Sequence, residues 1–298
     1  MRKRAVATAL FLSALALPAP CLAAPLRVLA SFLPMYLFTV NVVGNVPGVT
    51  VELMLPASLG CPHDYALTPG DMKKVASADL FIANGLGMEE FLGASVRKAY
   101  PRLRVVETGA SVPPLREEGG EGGHDHGGVN PHSWVSPKSA ILQVRAIERA
   151  LSEASPADSA RFRANADGYV RRLAALSADF ETAARGFRSR NIVTFHNVFD
   201  YMARDYGLAV VGEVETVPGQ EPSAGEIRKL ARVIREKGVR ALFAEPQNPP
   251  RVAEMVAREA GVPLRVLDPV ATGSTAPTAY EEAMRRNLET LKEVLSGP

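Results

Sequence analysis

Five histidines carry most of the metal chemistry available to this 298-residue chain. Three of them stand where apolar runs give way to turns or helices. His63 lies in "GCPHDYALTPGD", residues 60–71, after the run "VTVELMLP". His132 lies in "NPHSWVSPKSA" ahead of a helical stretch, and His196 ends the run "NIVTFH". A single histidine at such a junction commonly caps a helix or faces water. Three at strand ends point to one crevice, because ligands of open α/β sheets gather outside the carboxyl ends of the strands. Neutral imidazole is a borderline ligand suited to Zn²⁺ and its neighbours, and such sites also accept a carboxylate. Asp268 is the candidate for that oxygen. It ends "PLRVLDP", and Pro269 constrains the chain's exit from the sheet. His196 directly precedes the helical stretch "NVFDYMARDYG", whose dipole disfavours imidazolium and so favours the form that can donate a lone pair.

Three neutral imidazoles and one carboxylate leave a divalent ion with one uncompensated positive charge. Glu245, in "LFAEPQ", could answer it by accepting an imidazole N–H, or could simply face water at a strand end. His124 and His126 lie in "REEGGEGGHDHGGVN", residues 116–130, whose glycines and charges predict a mobile loop with a possible accessory metal role. Cys61 also has ligand chemistry. Three histidines and an aspartate already fill a tetrahedron, however, and an exposed thiol beside a metal invites oxidation.

The elements that must position these groups follow from alternation. "LRVLASF", "VTVELMLP", "DLFIANG" and "RVVETG" alternate with helical stretches, and a second series, "NIVTFH", "LAVVGEVE", "VRALFAEP" and "PLRVLDPV", does the same. The expected fold is α/β: two similar lobes with parallel sheets and helical crossovers, residues 25–153 and 190–298. Between them residues 155–188 read as one long helix, opened by Ser155, Pro156 and Asp158. Phe162, Ala166, Tyr169, Leu173, Leu176, Phe180, Ala183 and Phe187 form its apolar stripe. At 1.5 Å per residue such a helix is a rigid spine about 40 Å long.

Residues 1–24 have a basic start, a short apolar run from Ala5 to Leu17 and small residues at a plausible cleavage point, so they read as a secretory signal peptide. A lipid anchor on Cys21 is disfavoured by Pro20 and Pro18, and export to the periplasm without stable membrane insertion is expected. Loss of Arg2, Lys3 and Arg4 reduces 34 basic residues to 31 against 32 acidic ones, a net charge of −1 that gives nucleic acid no foothold. With Cys21 removed, Cys61 has no intrachain partner for a disulfide.

The segments "LPASLGCPHDYALTPGDMKKVASADLFIANGLGMEEFL", "NPHSWVSPKSA", "IVTFHNVFDYMARDYGLAVVG", "EPSAGEIRKLARVIREKGVRALFAEPQ" and "LRVLDPV" resemble the zinc- and manganese-binding solute receptors of bacterial metal ABC importers, the ZnuA/TroA-like group. The resemblance covers nearly the whole chain after the signal. It implies two lobes joined by a rigid helix, one metal ion in the interlobe cleft, a monomer, and an inner-membrane ABC permease as partner. It places the ligands on His63, His132, His196 and Asp268. Receptors resembling the manganese type carry glutamate at the third position and those resembling the zinc type histidine, so His196 implies Zn²⁺ over Mn²⁺. A manganese or iron receptor is the nearest alternative. A secreted zinc hydrolase is the alternative from another class, with Glu245 activating water; the absence of an HExxH or comparable base motif favours a receptor with no catalytic residues.

Overall fold

The structure is a computed structural model that describes residues 25–60, 62, 65–116, 128–215, 222–247 and 250–297. Its first lobe contains β1 (Leu26–Ala30), α1 (Leu33–Val43), β2 (Val49–Leu53), α2 (Pro69–Ser77), β3 (Leu80–Ala83), α3 (Ala94–Ala99), β4 (Arg104–Glu107) and α4 (Pro137–Ala154). After α5 (Ser159–Arg185), the second lobe contains β5 (Asn191–Thr194), α6 (Asp200–Tyr206), β6 (Ala209–Glu213), α7 (Ala224–Glu236), β7 (Leu242–Ala244), α8 (Pro250–Ala260), β8 (Leu264–Val266) and α9 (Ala279–Leu295).

All eight apolar runs form strands. The two sheets have the same parallel order, β2-β1-β3-β4 and β6-β5-β7-β8, so the faint likeness between the two halves of the sequence is a likeness of topology. The central strands explain their composition. "LFIA" in β3 and "LFA" in β7 are buried at every residue, as expected of parallel strands covered by helices on both faces.

The spine begins one turn later than the sequence indicates. Pro156–Asp158 form a separate 3-10 turn, in which Ser155 Oγ donates to Asp158 Oδ2 at 2.9 Å, and the α-helix runs from Ser159 to Arg185. Its buried stripe is Phe162, Ala166, Tyr169, Leu173, Leu176, Phe180 and Ala184, with Ser177 beside them. Ala184 takes the inward place expected of Ala183, because a repeat of 3.6 residues drifts past a strict alternation of fours and threes. Phe187 is also buried but lies beyond the helix, past Gly186.

The spine packs on α1 and α4 of the first lobe and on α6 and α9 of the second. Helix α9 crosses back to the first lobe. Tyr280 meets Phe38 edge-on at 5.0 Å, and Asn41 Nδ2 donates to the Pro277 carbonyl just ahead of α9 at 2.8 Å. One hydrophobic cluster therefore runs from β1 and α1 through α5 to Phe199, Phe243 and Tyr280, while a smaller one fills the space under α7 and α8.

Candidate metal centre

In the second sheet β5 lies between β6 and β7, so the strand order reverses there and a crevice opens at the carboxyl ends. His196 follows β5 by two residues and Glu245 follows β7 directly. The two side chains meet, with His196 Nδ1 2.5 Å from Glu245 Oε1. The glutamate is only 2% exposed, which excludes the water-facing alternative, and Gln247 Nε2 donates to its other oxygen at 2.6 Å. A buried carboxylate requires such donors. Nδ1 lies within ion-pair range of Glu245 Oε1, although that oxygen accepts no hydrogen bond of good geometry, and the other ring nitrogen of His196, Nε2, is the one left for a metal.

His132 immediately precedes the 3-10 turn Ser133–Val135 and is buried. Its ring lies 5.3 Å from that of His196, at an interplanar angle of 76°, so imidazoles from the two lobes meet edge to face. Trp134, the chain's sole tryptophan, lies beside His132 at 5.3 Å. Its indole N–H crosses the cleft to the Pro269 carbonyl at 2.7 Å. Phe32 meets the indole edge-on at 4.8 Å, and Tyr280 Oη donates to the Trp134 carbonyl at 2.7 Å. The turn bearing His132 and the loop bearing Asp268 are thus fastened through one residue.

Asp268 follows β8 by two residues. Asn287 on α9 holds its backbone in both directions, accepting the Asp268 N–H at 2.8 Å and donating to its carbonyl at 2.7 Å. The carboxylate accepts the Val270 N–H at 2.8 Å, and Arg286 Nη2 lies 3.6 Å from its second oxygen. Burial pushes the Asp268 carboxyl above its ordinary pKa, and the Val270 N–H and Arg286 pull against that rise. Val270 has φ 60°, a left-handed conformation that is unusual for a β-branched residue and costs on the order of 1–3 kcal/mol. The fastened loop carries that strain.

His63 itself, like Cys61, His124, His126 and the signal segment, lies outside the described residues. The chain on either side of it is anchored. Ahead of it, the Gly273 N–H donates across the cleft to the Ala57 carbonyl at 2.9 Å, and a side chain at Gly60 would meet Gln247 and Thr272 of the other lobe. Behind it, Tyr65 Oη donates to Asp71 Oδ2 at 2.7 Å, while Thr68 and Asp71 form the capping box of α2. Among the described residues, no three His, Cys, Asp or Glu side chains are gathered closely enough to hold an ion. The structure brings His132, His196 and Glu245 into one sequence of contacts and leaves Asp268 tied to Val270 and Arg286.

Trp134, Asn287 and Arg286 were not singled out by sequence. A lone tryptophan two residues after a candidate ligand was a usable signal for the first. Asn287 and Arg286 lie on a helix whose path back to the cleft no local pattern reveals.

A family model described as ZnuA, the periplasmic component A of the zinc-uptake complex, matches residues 28–294. The chain belongs to the ZnuA family. Among relatives in this group, zinc-binding protein AdcA of Streptococcus pyogenes is 33% identical over 290 residues, covering 89% of this chain and 55% of its own length. The chain therefore spans about half the length of the AdcA relatives. The high-affinity zinc uptake system protein ZnuA of Bacillus subtilis is 31% identical over 283 residues, covering 91% of this chain and 88% of the relative. Among solved structures, the solute-binding protein FpvC of Pseudomonas aeruginosa in complex with Mn²⁺ superposes with a TM-score of 0.80 at 31% identity, covering 91% of this chain and 98% of that one.

Proposed function

We propose that this ZnuA-family protein is an extracytoplasmic receptor that captures one Zn²⁺ between its lobes through His63, His132, His196 and Asp268 and delivers it to a membrane ABC permease. The observation that carries the reading is the apposition, across the cleft, of two imidazoles whose Nδ1 atoms are both engaged by neighbouring oxygens. Engaging Nδ1 leaves Nε2 of each ring for a metal, and imidazole suits zinc better than it suits the harder manganese ion. Asp268 supplies the oxygen that completes a closed tetrahedral set, and zinc displaces Arg286 from it. A closed set leaves no place for an attacking water. Glu245 is occupied in supporting His196, which agrees with a binding protein and not with a hydrolase.

The ion is the cargo of this protein. Capture requires the ligands to shed any protons they hold, so affinity falls as the pH is lowered. Among the described residues no helix is long and apolar enough to cross a membrane, so the permease supplies the passage. Titration of the metal-free protein with Zn²⁺ against a chromophoric chelator is expected to give one site per chain. His132→Ala and His196→Ala are each expected to weaken it by more than about 100-fold, a larger loss than removal of an outer partner produces. Undiminished affinity in both variants would rule out this site.

A further inference from the structure

We infer that Asn130 is a positioning residue for the second imidazole: it fixes the tautomer of His132 and ties that tautomer to the contact between the lobes. The inference rests on the zinc-receptor reading above. Asn130 is 2% exposed and its amide is fully committed. Nδ2 donates to the Asn197 carbonyl at 2.7 Å and to Asp200 Oδ2 at 3.0 Å. Both partners are acceptors, so the orientation of the amide is determined; reversal would set its oxygen against a carbonyl and a carboxylate. Oδ1 therefore faces His132, accepting its backbone N–H at 2.9 Å and lying 3.0 Å from Nδ1. An amide oxygen can only accept. Nδ1 must carry the ring proton, and the lone pair of the neutral ring stands on Nε2.

The other side of Asn130 belongs to the second lobe. Asn197 and Asp200 follow His196 by one and four residues, and Tyr201 Oη donates to the Asn130 carbonyl at 2.8 Å while accepting the Leu115 N–H at 3.1 Å. One side chain thus sets the tautomer of the ligand in the first lobe and grips the segment that follows the ligand in the second. Lobe separation at this point releases Nδ2 of the amide from both acceptors. The His132 backbone N–H still holds Oδ1 when the lobes part, so separation weakens the preference of His132 for protonation at Nδ1 without abolishing it, which gives a permease that parts them a means of loosening the ion.

The test is long-range ¹H–¹⁵N correlation on metal-free, imidazole-labelled protein, alongside competition titration with Zn²⁺. The full chain is expected to show His132 protonated at Nδ1. Asn130→Ala is expected to admit the Nε2–H tautomer and to weaken zinc binding by about 10–100-fold. Asn130→Asp combined with Asp200→Asn retains an acceptor for Nδ1 while giving the new carboxylate an amide donor in place of a second carboxylate, and is expected to keep the original tautomer, so it remains informative if the alanine variant does not fold. A single Nδ1–H tautomer with affinity within about threefold of the parent in Asn130→Ala would overturn the inference, as would an Nε2–H tautomer in the double variant. His132→Ala separates the two levels. Full zinc binding there would remove the receptor site and this inference together, whereas loss there with an unaffected Asn130→Ala would sink the inference alone.

Discussion

His196 lies against a carboxylate that water does not reach, and in the proposed site its behaviour as a ligand depends on that partner. Glu245→Gln keeps the shape but removes the negative charge beside Nδ1, and is expected to weaken zinc binding by about 10–100-fold in a chelator competition, with little change in fold. The same contact constrains any attempt to change the metal. His196→Glu alone would press a second carboxylate against Glu245, and two carboxylates sharing a buried place force one to take up a proton. The metal preference is therefore expected to move toward Mn²⁺ only when His196→Glu is combined with Glu245→Gln, as read by paired Zn²⁺ and Mn²⁺ titrations. An unchanged Zn²⁺ to Mn²⁺ affinity ratio in the double variant would contradict the assignment of selectivity to this position.

Behind these residues stand elements that hold their turns in place. Glu89, just beyond β3, accepts from Ser31 Oγ at 2.8 Å and from the Asn84 and Gly85 N–H groups at 2.7 and 2.8 Å. Asn84 in turn donates to the Pro131 carbonyl, next to His132, at 2.8 Å. Burial raises the pKa of Glu89 to about 7; nearby Glu107 adds to the rise, and the two N–H groups and the hydroxyl resist it. An unfolded chain releases this proton near pH 4.3, so between about pH 4 and 7 the folded state binds more protons. The contribution is fully present below that window and is lost as pH rises through 7, a fall of about 4 kcal/mol in all. Urea unfolding of the metal-free protein at pH 5 and pH 8 is expected to show about 2–3 kcal/mol of this fall relative to Glu89→Gln, because part of it is already lost at pH 5; parallel pH dependence in the two proteins would refute it. On the spine, Leu173 is fully buried, and Leu173→Ala is expected to cost about 2–5 kcal/mol in the same assay.

The elements were largely legible because parallel strands covered on both faces leave continuous apolar runs, and β3 and β7 are the plainest cases. The spine showed its stripe but not its exact start, since Ser155 and Asp158 make the side-chain contact of a cap around a 3-10 turn. The meeting of His196 with Glu245 was readable from strand ends once two sheets were assumed. The grip of Asn130 on Asn197 and Asp200 was not, because it joins positions 67 and 70 residues apart by hydrogen bonds that no periodicity encodes. Nor was the strain at Val270, which is a property of the loop's closure and not of its composition. The expected metal role of His124 and His126 falls outside the described residues. Deletion of residues 119–128 is expected to leave the zinc affinity of the main site unchanged.

At the scale of the molecule, two lobes of equal topology share one core. Phe38 and Tyr280 pack face to edge, Trp134 reaches Pro269, and Gly273 reaches Ala57, so wide opening would break apolar packing and hydrogen bonds together. On the proposed receptor reading, capture and release would proceed by small shifts of loops and lobes about the spine. The central claim is that a single ion sits between the lobes on four side chains distant in sequence. Diffraction from zinc-loaded crystals on both sides of the zinc absorption edge tests it most directly. The account predicts one anomalous peak at about 2.0–2.2 Å from the Nε2 atoms of His63, His132 and His196 and a carboxylate oxygen of Asp268. A peak elsewhere, or one that omits either His132 or His196, would contradict it.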